Sequence, residues 1–176
     1  SFFAEIRFDW SPGEIGASLA FVGLLMAFTQ AVLTGRIVKR LGEQRAVIIG
    51  LASGAACMLL VAFSDVGWFA YVAMTAGLLQ FIAYPSMNAI MSKQVRPDSQ
   101  GELQGGVSSL NSLTTIIGPL LMTQILGRFS GAGAPIYFPG AAFLLAALLA
   151  IFALLIVLRA GAKAPASALP EAGPAG

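Results

Sequence analysis

Side chains able to hold a solute recur at helical spacing inside segments that are otherwise apolar. Gln104, Ser108, Asn111 and Thr115 follow at i, i+4, i+7 and i+11, so a helix sets them on one face. Gly118-Pro119 continues that side, and Val107, Leu110, Leu113, Ile117 and Leu121 take the opposite one. Gln80, Tyr84 and Asn88 repeat the four-residue step, and Gln30 follows Thr29 in a third segment. Amides and hydroxyls donate and accept, so the chemistry they support is reversible hydrogen bonding. Unpaired amides in hydrocarbon cost several kcal/mol, so these stripes are not expected to face lipid. Two readings fit: hydrogen bonds between helices, each worth about 0.6–2 kcal/mol, or the wall of a water-filled cavity. Repetition on separate helices favours a cavity lined by Gln30, Gln80, Tyr84, Asn88, Gln104, Ser108, Asn111 and Thr115, open to a small-molecule solute.

The residues missing from these segments narrow the chemistry. None holds Asp, Glu, Lys or Arg, and the chain has no histidine, so a coupling proton has no group to titrate here. No metal constellation, phosphate-binding loop or Ser/His/Asp arrangement is present, and neither a cofactor nor enzymatic activity is expected. Cys57 is the single cysteine and reads as a small packing residue. A net charge of +2, with no basic stripe between aromatics, argues against nucleic acid as a partner.

The elements that position the polar stripes are membrane spans. Five uncharged runs, Ile15–Gly35, Ala46–Ser64, Val66–Ser92, Leu103–Gly127 and Phe129–Leu158, are 21, 19, 27, 25 and 30 residues long. At about 1.5 Å per residue, roughly 20 residues cross a hydrocarbon core. The chain is 57% hydrophobic and 10% charged, with mean hydropathy +0.84, where a soluble domain is about 25% charged. The expected fold class is therefore all-α, a polytopic transmembrane bundle with the lipid bilayer as its first partner. Turn and cap signals place the spans at about 12–35, 46–64, 67–92, 102–127 and 137–158. Residues 1–14 read as an external loop after a preceding span ending at Ser1-Phe2-Phe3, and Ser11, Pro12 and Glu14 read as a capped helix start. Ser130–Pro135 reads as a flexible loop, and 159–176 as a disordered tail.

Of the ten basic residues, eight (Arg36, Lys39, Arg40, Arg45, Lys93, Arg96, Arg159 and Lys163) share one side of an alternating topology, which makes that side and the C-terminus cytoplasmic. An outside start without a leader reads as the later part of a longer protein; a natural five-helix protein is the alternative. Gly50 and Gly54 form G-x-x-x-G, and with Gly118 and Pro119 they mark helix packing, with sliding as a second reading.

Gly35, Arg40, Gly42 and Arg45 lie in a short basic segment between two spans. It resembles the cytoplasmic gating-loop signature of the major facilitator superfamily, with Lys39 where the signature Asp stands. Further segments resemble the C-terminal half of the tetracycline efflux antiporters. They include Ala4–Trp10, Leu41-Gly42-Glu43, Gln100–Gly105 and Ser112–Leu121. The resemblance covers about Ser1–Arg159 and implies that the spans are helices 8 to 12 of a transporter working by alternating access. It further implies drug efflux across a bacterial inner membrane, with a missing six-helix half or another membrane subunit as partner. A transport-inactive scaffold subunit is the alternative. One departure stands out: Ala52-Ser53-Gly54 occupies the place where that group carries Ala-Asp-Gly, and Ser53 cannot carry a proton.

Overall fold

A computed structural model describes residues 8–64, 66–130 and 137–163, and the described residues form helices and no strand. The first helix, α1 (Pro12–Leu41), starts with a reciprocal cap. The Ser11 hydroxyl accepts from the Glu14 amide at 3.3 Å, and the Glu14 carboxylate accepts from the Ser11 amide at 2.8 Å. Within α1 a π turn spans Thr29–Leu33. Gly42 then turns the chain with φ +81° and ψ 162°, a region essentially reserved for glycine, and α2 (Glu43–Ala62) begins at the next residue. The expected loop from Gly35 to Arg45 is therefore corrected. Gly35–Leu41 holds no proline and stays helical, with Arg36 Nη1 donating to the Val32 carbonyl at 2.8 Å, so Gly42 alone makes the turn.

The third span is also corrected. Instead of one helix it comprises α3 (Gly67–Ala76), a 3₁₀ segment (Leu78–Ile82) and α4 (Ala83–Gln94), bent by 41° at the break. After a 3₁₀ turn at Pro97–Ser99 comes α5 (Gln100–Ser130), unbroken through Pro119. The last helix, α6 (Ala141–Lys163), starts after the Pro139-Gly140 turn. It runs past Leu158, so the tail expected to be disordered is helical as far as Lys163, where Gly161 rests on the side chain of Gln44. What the sequence predicts for residues 1–7, 131–136 and 164–176 lies outside the described residues. Four of these helices are long and apolar enough to cross a membrane, and the bent α3–α4 pair makes a fifth.

α2 is the hub, packed against α6, α3, the 3₁₀ segment and α4. Small residues make this possible: Ala46, Ala55, Ala62, Ala70, Ala73 and Ala147 are buried, and Gly50 faces Ala83 so closely that an added Cβ would lie 2.8 Å from the Ala83 Cβ. One end is tied by Trp10 packed at a tilt against Tyr71, ring centroids 5.6 Å apart, the other by Lys93 Nζ on Glu43 at 2.7 Å. α5 buries no residue and exposes Leu110, Leu113, Ile116 and Leu120.

Candidate functional site

The break at Gly77 organises the polar side chains. The Gln80 amide bonds the Gly77 carbonyl at 3.0 Å, the tighter 3₁₀ step, and leaves the Ala76 carbonyl without its usual α-helical donor. Neighbouring helices supply donors instead. Ser53 Oγ on α2 donates to the Ala76 carbonyl at 2.7 Å. Thr29 Oγ1, fully buried in the π turn of α1, lies 2.8 Å from the Leu25 carbonyl and 3.1 Å from that of Leu78, one proton between two acceptors. Gln30 Nε2 donates to the Phe81 carbonyl at 2.9 Å. In a low-dielectric core such carbonyls must be paired, which accounts for polar residues on α1 and α2 facing the break.

Beside the break lies a cavity of about 550 Å³. Gln30 and Met26 of α1, Gly50, Gly54 and Met58 of α2, Gln80 and Phe81 of the 3₁₀ segment, Tyr84 of α4, and Ala146 and Ala150 of α6 contribute to its wall. Gly54 admits the Gln80 side chain, whose Oε1 stands 3.5 Å from where a Cβ would sit. Amide and phenol groups on an otherwise apolar wall suit a solute with a few hydrogen-bonding groups on a hydrophobic body. A second cavity of about 240 Å³ lies towards Trp10, with Gln80, Phe81 and Met58 in both walls.

The eight residues expected to line one cavity divide. Gln30, Gln80 and Tyr84 line it. Asn111 reaches its edge by donating from Nδ2 to the Tyr84 hydroxyl at 2.9 Å. Gln104, Ser108 and Thr115 are not part of the wall and stand exposed, because α5 rests on its neighbours only lightly. The Thr115 hydroxyl returns to its own helix at the Asn111 carbonyl, 2.8 Å away. Asn88 also stays local, donating to the Tyr84 carbonyl at 3.3 Å, while its buried Oδ1 has no partner among the described residues. Val107, on the face opposite the polar stripe, is half-buried.

Of the packing glycines, Gly50 and Gly54 meet Ala83 and Gln80, whereas an added Cβ at Gly118 meets nothing within 4 Å among the described residues. The expectation of a helix contact at Gly118 and Pro119 therefore finds no partner there, since no described helix comes that close. Arg40 and Arg45 are exposed at the Gly42 turn. Sequence reasoning missed Met26, Met58 and Phe81, which carry no polar signal, and Ala146 and Ala150, whose four-residue spacing on α6 was the available clue.

A sequence model of the Major Facilitator Superfamily matches residues 2–175. The chain is 46% identical over 123 residues to the class C tetracycline resistance protein of Escherichia coli, covering 70% of this chain and 31% of that protein. It is 35% identical over 130 residues to the class G tetracycline resistance protein of Vibrio anguillarum, covering 74% and 33%. It is also 28% identical over 131 residues to hippocampus abundant transcript-like protein 1 of Mus musculus, covering 73% and 26%. The chain thus spans about a third of the length of these curated relatives. No solved structure matches it.

Proposed function

The chain belongs to the major facilitator superfamily, and from that premise we propose that it is the C-terminal part of a drug-efflux transporter with a tetracycline-like substrate, working by alternating access. The observation that carries this reading is the cavity of about 550 Å³, which presents Gln30, Gln80 and Tyr84 on an otherwise apolar wall. Similarity to tetracycline resistance proteins supports the substrate class. The partner in this reading is a six-helix half that closes the cavity from the exposed side of α5. Among the described residues every acidic side chain stands at a helix end or in a connection: Asp9, Glu14, Glu43, Asp98 and Glu102. We therefore assign any coupling acid to that other half. The side holding Arg36, Lys39, Arg40, Arg45, Lys93 and Arg96 is cytoplasmic in a bacterial inner membrane, and the C-terminus lies on that side.

Everted membrane vesicles from cells expressing the intact gene test the proposal. Energised vesicles are expected to take up tetracycline, and Gln80→Leu to lower the uptake by about threefold to tenfold, the effect of one hydrogen bond to substrate. No uptake by the intact protein overturns efflux.

A second reading, a transport-inactive membrane subunit, draws support from Ser53, whose hydroxyl is engaged by the Ala76 carbonyl. The intact mass of the native protein separates the two. A single-chain transporter requires at least twice the 18.2 kDa of this chain, and a partner subunit does not.

A further inference from the structure

We propose that Ser53, Thr29 and Gln30 are positioning residues that together hold the bend at Gly77, and with it the placement of Gln80 in the cavity; the second clause rests on the cavity reading above. Backbone accounting carries the proposal. A straight helix would pair the Ala76 carbonyl with the Gln80 amide, which here bonds Gly77 instead. The carbonyls of Ala76, Leu78 and Phe81 receive their side-chain donors from α2, α1 and α1 respectively. Straightening would return the Ala76 carbonyl to its own helix, so at that carbonyl the bent and straight forms exchange hydrogen bonds rather than lose them. The Phe81 carbonyl stands four residues before Pro85, which has no N–H, and depends on Gln30. Two packings so nearly matched in hydrogen bonding need specific side chains to select one. Ser53 and Thr29 are those side chains, Gln30 covers the carbonyl that Pro85 leaves without a helical donor, and the π turn at Thr29–Leu33 brings Thr29 and Gln30 level with the break. Ser53 thus has a task that an ionised carboxylate, which only accepts, could not perform: its hydroxyl donates to a carbonyl.

Cys57 reports on the bend. It is 3% exposed, and an added Cβ on Gly77 would lie 2.8 Å from its Sγ. A relaxed bend lifts Gly77 away and opens the thiol. The experiment is N-ethylmaleimide labelling of membranes containing the intact protein, read on the Cys57 peptide by mass spectrometry. Ser53→Ala and Thr29→Val are each expected to speed labelling by about 3- to 30-fold, the range set by one interhelical hydrogen bond in a membrane. Ser53→Thr and Thr29→Ser keep the hydroxyl and are expected to retain the native rate. Thr123→Val removes a hydroxyl that bonds the Pro119 carbonyl within α5 at 2.7 Å and is expected to leave the rate unchanged. Native labelling rates in both Ser53→Ala and Thr29→Val overturn the clamp, as does equal acceleration in Thr123→Val. Neither result touches efflux. Conversely, the expected labelling pattern in a protein that moves no drug upholds the clamp and removes only the cavity reading.

Discussion

A hydroxyl inside a membrane helix has two outlets, its own preceding turn or a neighbouring helix. Ser109, Ser112, Thr115 and Thr123 of α5 take the first and bond carbonyls four residues back at 2.7–2.9 Å. Ser53 takes the second, and its replacements should differ accordingly. Ser53→Ala loses one interhelical bond and is expected to cost about 0.6–2 kcal/mol. Ser53→Asp places an acceptor against an acceptor mid-span and is expected to cost about 2.5–3.5 kcal/mol. Unfolding titrations in mixed detergent order the two, and an aspartate variant as stable as the native protein would contradict the assignment. Tyr84 and Asn111 form a polar link between α4 and α5, away from the Ser92–Gln100 pair at the turn between them. A double-mutant cycle of Tyr84→Phe and Asn111→Leu is expected to give a coupling of about 0.6–1.7 kcal/mol. Strict additivity would mean that the bond is not made.

Glycines decide the elements by position rather than by number. Gly42 turns the chain at φ +81°, so Gly42→Ala is expected to cost about 1–3 kcal/mol from backbone strain alone. At Gly50 an added Cβ would stand 2.8 Å from the Ala83 Cβ and 2.9 Å from its backbone nitrogen, and Gly50→Ala is expected to cost about 1–3 kcal/mol. Gly118 has open space, and Gly118→Ala should be neutral or up to about 1 kcal/mol stabilising through helix propensity. Thermal melts of the purified bundle check this order, and equal losses at both sites would refute the crossing at Gly50. The same residues show the limit of local signals. Pro119 removes a helical donor yet α5 runs unbroken, while the break falls at Gly77, before Pro85, which sits in the first turn of α4. Hydrogen-bond donors on other helices stabilise the break, and those partners are far away in the chain.

At the scale of the whole molecule, α5 is the element without a finished environment. It buries no residue, and Gln104 and Leu120 lie on opposite faces of it, Leu120 60% exposed. If the polar face borders water and the apolar face hydrocarbon or another helix, thiols placed there must react differently, because only a wet thiol ionises readily. Gln104→Cys is expected to label with a water-soluble maleimide in intact membranes, and Leu120→Cys to resist it. Equal reactivity of the two would remove the water-filled cavity beside α5. The spans themselves were legible because hydrocarbon excludes charge over a fixed thickness, and uncharged runs of 19 residues or more record that directly. The polar stripe was legible as a pattern but not as a wall: Gln80 and Tyr84 line the cavity, whereas Gln104, Ser108 and Thr115 do not, though both sets recur at helical spacing.

Composition and spacing by themselves determined an all-helical membrane bundle, its cap at Ser11, its small-residue contact at Gly50 and Gly54, and the absence of ionisable groups from the uncharged runs. These follow from local rules of hydration, helix periodicity and backbone capping, which need no knowledge of neighbours. Tertiary structure alone decided the bend at Gly77, the reduction of a supposed loop to Gly42, and the division of polar side chains between holding carbonyls and lining a cavity. Those outcomes depend on which donor from a distant segment arrives at which acceptor. That pairing is a property of packed helices in three dimensions, where a carbonyl must be satisfied by whatever stands beside it.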